Sequence, residues 1–312
     1  MKTIKLFILL AFTGVTSSLW AQQDSQYTQY MYNTIAVNPA YAGSRGVMSI
    51  SALHRSQWVG LNGAPTTQTI NVHSPIGNRV GAGLSIVNDQ IGDGVNQQTY
   101  FDGVFSYTIP TSKNGQLSFG LKVGGQSLNI DLNKLQAYRS DLNYSDQETV
   151  NDFNFNFGAG AYYHTNKFYL GISAPNFLNS KHFDDNGTDE TFLAEERLNM
   201  YLISGYVFDL NTFLKLKPAT LIKAVKGAPL QVDLSASLLF NDKFSFGVAY
   251  RWDAALSGLI GFQASDQLYL GIAYDKETTE LGNTSFNDGS FEVILRYEFL
   301  SKFKKVKSSR FF

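Results

Sequence analysis

The chain has 312 residues, no cysteine, and 25 basic against 26 acidic side chains, for a formal net charge of −1. The even charge argues against a protein that coats nucleic acid. The missing cysteines exclude disulfide scaffolds, thiolate zinc sites and cysteine nucleophiles. Charged residues are only 16% and aromatics reach 14%, the opposite of a disordered composition.

Residues 1–21 read as a signal peptide. Lys2 and Lys5 precede an apolar run over 6–15, and Ala21 offers the cleavage site. The run is shorter than the ~20 residues that a membrane helix needs. No later apolar stretch reaches that length. If the chain spans a membrane it must do so as a closed sheet, because backbone groups in lipid have to be paired internally.

Residues 22–45 do not alternate as a strand does. Gln26-Tyr27-Thr28-Gln29-Tyr30-Met31-Tyr32-Asn33 leads to Val37-Asn38-Pro39-Ala40-Tyr41-Ala42-Gly43-Ser44. Asn38-Pro39 marks a turn and Gly43 a joint. An aromatic, amphipathic segment of this kind needs a surface to cover, and the mouth or lumen of a barrel provides one.

From 46 to 300 the chain alternates apolar and polar side chains, the mark of strands with two different faces. The pattern predicts strands at 46–55, 66–74, 79–88, 97–109, 116–129, 152–163 and 167–174. Seven more follow at 196–208, 213–225, 229–240, 243–252, 255–264, 267–275 and 289–299. Phe291, Val293, Leu295, Tyr297 and Phe299 share one face of the last; Glu292, Arg296 and Glu298 share the other. The second face is small and polar throughout, with isolated charges such as Lys122, Asp233 and Arg251. A barrel lumen accepts these, whereas a mid-depth Lys or Arg facing lipid costs about 2–4 kcal/mol.

About fourteen antiparallel strands in an all-β transmembrane barrel is therefore the expected fold. An even count returns both termini to one side. Short turns there and longer loops at 87–96, 130–151, 174–195 and 276–288 on the other side fit an outer-membrane barrel. Tyr100, Tyr107, Tyr163, Trp252 and Tyr274 at strand ends suit interfacial girdles. Pro218 sits badly in a central strand, because it has no N–H to donate.

No enzyme emerges from the sequence. His54, His73, His164 and His182 are scattered, and His164 falls in an expected solvated turn. No phosphate-binding loop or nucleophile elbow is present. The acidic run 184–190 has calcium-type oxygen ligands without the twelve-residue spacing, and reads first as a solvated loop. The basic tail at 301–312 reads as a solubilising terminus. No catalytic, metal or cofactor residue is expected.

The segment over 26–44, above all Asn38-Pro39-Ala40-Tyr41-Ala42-Gly43-Ser44, resembles the opening of the PorP/SprF family of type IX secretion proteins. The likeness continues through Arg55-Ser56-Gln57-Trp58, Gly81-Ala82-Gly83, Leu216-Lys217-Pro218 with Lys223, and Gly247-Val248-Ala249-Tyr250-Arg251. It implies a non-enzymatic, integral outer-membrane barrel of a Bacteroidota cell, with both termini periplasmic. It also implies as partners the type IX translocon and a large secreted adhesin with a type B C-terminal domain, in some species linked to gliding motility. Tyr27, Tyr30, Asn38, Pro39, Tyr41, Trp58 and Pro218 are the candidate partner-binding residues. The competing reading is a passive channel or hydrophobic-solute transporter whose N-terminal segment plugs the lumen. A soluble sandwich lectin stands third.

Overall fold

The computed structural model describes residues 25–131, 134, 149–178, 181–184, 191–195, 198–284 and 286–300. The expected leader at 1–21, the tail at 301–312 and the acidic residues 185–190 lie outside them. The first seven strands are β1 (Met48–Ser56), β2 (Thr66–Ile76), β3 (Val80–Ile91), β4 (Asn96–Pro110), β5 (Gln116–Ile130), β6 (Val150–His164) and β7 (Phe168–Ala174). A separate hairpin follows, β8 (Lys181–Asp184) with β9 (Thr191–Glu195). The wall resumes with β10 (Asn199–Tyr206), the stub β11 (Phe208–Asp209), β12 (Leu214–Val225), β13 (Gln231–Phe240) and β14 (Phe244–Arg251). It ends with β15 (Ala255–Gln263), β16 (Leu268–Glu277) and β17 (Ser290–Phe299).

Each wall strand pairs antiparallel with its chain neighbours, β10 pairs with β12, and β17 pairs with β1. The result among the described residues is a closed ring of fourteen strands. Closure leaves no general sheet edge to aggregate. Met48 lies opposite Phe299, so the ring begins and finishes at one end, here the terminus end. The strand ends that flank 57–65, 92–95, 131–149, 175–198, 226–230, 252–254 and 278–289 lie at the other, the loop end.

The alternation is inside-out relative to a soluble protein. Phe155 is 73% exposed, Val123 67% and Leu84 65%, whereas Glu292 is fully buried and Arg55 is 1% exposed. The apolar face is outside, where lipid receives it, and the charges are inside. No helix among the described residues is long enough to cross a membrane, and the strands do the crossing. Tyr107, Trp252 and Tyr274 are exposed at strand ends.

Three expectations need correction. Tyr100 faces inward, its hydroxyl donating to Gln98 Oε1 at 3.1 Å; it shares the inward parity of Asp102 and Ser106, so it is no girdle residue. His164 is not in a solvated turn: it ends β6 with an inward, buried ring against Tyr162, centroids 5.6 Å apart. The loop expected over 174–195 contains the β8–β9 hairpin.

Pro218 has a local explanation. β10 pairs with β12 up to Gly205–Ala219, and the same register resumes at Phe208–Leu216. The ladder is interrupted opposite Pro218, the one position that cannot donate. On the other side Val207 keeps the β7 register, donating its N–H to Lys167 O at 2.8 Å.

The outward face predicts its own test. Val248, mid-strand in β14 and 61% exposed, is expected to lose about 2–4 kcal/mol of unfolding free energy in lipid when changed to Arg. Urea titration in lipid vesicles measures it.

Candidate functional site

The residues that carry the candidate function are in the N-terminal segment and on the inward faces that surround it. The segment has only one helical turn, α1 (Thr34–Val37), and a 3₁₀ turn over Pro39–Tyr41. Its start is set by Asn38, whose side chain accepts the Ala40 N–H at 3.0 Å. With Pro39 at the first helical position this is a compact N-cap. Short turns of this length do not persist on their own. Here they are buried: Tyr30, Met31, Asn33, Asn38, Ala40 and Ala42 are each at most 2% exposed.

What buries them is the inward face of strands all round the ring. Near the loop end, Gln26 Oε1 accepts from Arg251 at 3.0 Å, and Arg251 also holds Asp233 at 2.9 Å. Tyr27 and Thr69 share a hydrogen bond of 3.0 Å. Thr28 N–H and Gln29 N–H donate to the two oxygens of Glu292 at 2.9 and 2.7 Å. The Thr28 hydroxyl donates to Asp275 at 2.7 Å. Arg55 joins the same carboxylates, 2.7 Å from Asp275 and 3.3 Å from Glu292.

Further along, Tyr32 stacks on Tyr269 at 4.6 Å, with Lys217 and Arg296 over its ring at 5.3 and 5.7 Å. Such cation–ring contacts gain strength where water is excluded. Ser173 donates to Val37 O at 2.6 Å, Asn38 to Ala161 O at 3.1 Å and Ser106 to Ala42 O at 2.7 Å. Tyr41 meets His73 and Tyr162 edge-on. Arg45, ion-paired with Glu298, brings the segment to the terminus end and into β1.

Glycines make the room. A Cβ at Gly120 would overlap the backbone of Ala40, and one at Gly81 would overlap the Ala42 carbonyl. A Cβ at Gly160 would likewise overlap the Asn38 side chain, so these glycines are cut-outs for the segment.

Of the seven candidate residues, Tyr27, Tyr30, Asn38, Pro39 and Tyr41 are brought together and are buried against the chain's own strands. Trp58 stands apart at the loop end, in the left-handed region at φ 47, which is uncommon for a bulky side chain. Its indole donates to Glu277 at 3.2 Å and its N–H to Ser290 at 3.2 Å. Pro218 is exposed on the outer face. Sequence reasoning missed Arg55, Asp275 and Glu292 as a unit. Only their shared inward parity was visible. Among the described residues no cluster has the makings of a metal site.

An antiparallel ring with an apolar exterior and a charged interior is an integral outer-membrane β-barrel. Residues 19–297 match the family described as type IX secretion system membrane protein PorP/SprF, and the chain belongs to that family. No curated protein matches it in sequence. Among solved structures, Omp33 of Acinetobacter baumannii is 9% identical, covering 81% of this chain and 98% of that one at a TM-score of 0.45. A monoaromatic hydrocarbon channel, CymD, is 10% identical over 86% and 93%, at 0.48. A Pseudomonas aeruginosa FadL homologue is 14% identical over 84% and 93%, at 0.46. Nothing of their function carries over at these values.

Two outcomes follow. Arg55→Leu strands two buried carboxylates and is expected to cost about 3–5 kcal/mol in urea unfolding. Gly120→Val is expected to cost about 1–3 kcal/mol by overpacking. Gly258→Val serves as the control, because a Cβ there meets nothing within 4 Å.

Proposed function

We propose that this barrel is a docking and anchoring component of type IX secretion rather than a conduit. It is non-enzymatic, and it assists the export or surface attachment of a large secreted adhesin by engaging that protein's C-terminal domain. Its loop end faces outward and its termini lie in the periplasm of a Bacteroidota cell. Gliding motility depends on it where the adhesin serves gliding. Tyr27, Tyr30, Asn38, Pro39 and Tyr41 act from inside, fixing the segment that shapes the interior. Trp58 acts at the loop end.

The observation that supports this reading is the occupied interior. Residues 26–45 hydrogen-bond or stack with inward side chains of β1, β2, β4, β7, β12, β14, β16 and β17. A barrel filled this way by its own chain is suited to presenting its loops.

One observation favours a channel or hydrophobic-solute carrier: the interrupted ladder beside Pro218 is a weak point in the wall. Val207 occupies that break and is fully buried, which favours the docking reading.

The test is purification of the tagged protein from its native outer membrane in mild detergent, with mass spectrometry of what accompanies it. A large secreted protein, or its C-terminal domain, is expected in stoichiometric amount. In a planar bilayer the intact protein is expected to pass no steady ion current, and a variant lacking residues 26–44 is expected to conduct. A lone barrel that conducts when intact would overturn the proposal.

A further inference from the structure

The segment over 26–45 has a direction, and a single strand records it. β17 runs from the loop end at Ser290 to the terminus end at Phe299. Its Glu292 carboxylate takes the Thr28 and Gln29 N–H groups, and its Glu298 carboxylate takes Arg45. Six positions separate these two anchors, which is about 20 Å of strand. The earlier part of the segment is therefore held toward the loop end and the later part toward the terminus end.

Other strands give the same order. Arg251 closes β14 at the loop end and binds Gln26. Asp275, close to the loop-end limit of β16, accepts from the Thr28 hydroxyl. Tyr269, near the opposite limit of β16, stacks on Tyr32. Ser106 and His73 stand near the terminus-end limits of β4 and β2. Ser106 donates to Ala42 O, and His73 Nδ1 accepts the Gly43 N–H at 3.2 Å. Past Arg45, β1 sets out from that same end at Met48.

What precedes Gln26 is thus committed to the loop end. Ser25 and Gln26 are partly exposed there, whereas Tyr27 to Ile35 are buried. A chain that starts at Gln22, the product of cleavage after Ala21, has three residues ahead of Ser25. They reach about 11 Å at most, too little to return past Glu292 to the level of Glu298. Filling the lumen does not call for this path. A segment folded in from the terminus end, where β1 begins, would fill it without crossing the ring.

We propose that the barrel displays the start of its own chain outside the cell. The mature chain begins on the outer face, descends the lumen as residues 26–45, and enters β1 from the periplasm. The two limits of the ring, Met48 and Phe299, stay periplasmic, but the start of the chain does not lie with them. Its free α-amino group stands among the loops to which the preceding reading assigns docking. A sequence inserted ahead of Ser25 is carried to the surface with it. The proposal rests on the preceding reading only for which end faces out.

The experiment uses the full-length protein in intact cells. The chain has no cysteine, so one introduced cysteine reports its own position. Ser25→Cys is compared with two others. Asn62→Cys is exposed in the loop-end connection 57–65, and Asp266→Cys is exposed in the terminus-end turn 264–267. Each is treated with a membrane-impermeant biotin maleimide before and after the envelope is opened. In a second variant a short epitope is inserted between Gln22 and Gln23 and read with antibody. Heat-modifiable gel migration checks folding.

Ser25→Cys is expected to label on intact cells, as Asn62→Cys does. Asp266→Cys is expected to take at least tenfold less label until the envelope is opened. The epitope is expected to bind antibody on intact cells. If Ser25→Cys reacts only in opened cells while Asn62→Cys reacts on intact ones, the proposal is overturned and the docking reading survives. An epitope hidden on intact cells overturns it as well, and decides the matter if Ser25→Cys reacts in neither state. Label on intact cells at Asp266→Cys alone would reverse the orientation and take the proposal with it. A surface-exposed epitope on a barrel with which no secreted protein co-purifies would remove the docking reading and uphold this one.

Discussion

One cross-strand pair holds much of this molecule together. Arg55 and Glu292 face each other directly across the seam between the first and last strands, and their side chains meet inside with Asp275. The same Glu292 carboxylate takes the N–H groups of Thr28 and Gln29. Ring closure and the seating of the N-terminal segment therefore share one group. Charges removed from water are tolerated only when paired and fully hydrogen-bonded, and both conditions are met here by residues far apart in the chain.

The interior behaves as a core made largely of polar matter. Most aliphatic side chains face the lipid here, and the ring is filled by a smaller apolar cluster that includes Met31, Leu53, Ile203 and Ile294 together with buried polar groups. Tyr32, stacked on Tyr269, and Tyr27, hydrogen-bonded to Thr69, are among these groups, together with backbone carbonyls that accept from Ser106 and Ser173. Gly120 and Gly81 supply the clearance that larger residues would deny. The fit is local and mutual: small wall residues lie where the segment's backbone comes closest.

The wall was legible in the amino-acid sequence because lipid and interior impose opposite demands on successive residues. β17 shows this plainly, with Phe291 to Phe299 alternating against Glu292 to Glu298. The ends of strands were less legible. Tyr100 obeys its inward parity, although its position near a strand end suggested the membrane interface. His164 was assigned to a turn because the turn residues beside it dominate the local pattern. The interior contacts were not legible at all. They join residues such as Thr28 and Asp275, 247 positions apart, and no periodicity carries information over that distance. Trp58 likewise bonds Glu277 and Ser290, 219 and 232 positions away.

The path of residues 26–45 has a consequence for how the protein is made. The segment enters beside Arg251 at the loop end and leaves beside Glu298 at the terminus end, traversing the ring before β1 begins. Threading it through an already sealed ring would drag tyrosines and unpaired backbone past a crowd of charges. Laying it on a still-open sheet avoids this. Since its anchoring carboxylate is on the last strand of the chain, the seating of the segment and the pairing of β17 with β1 complete one another.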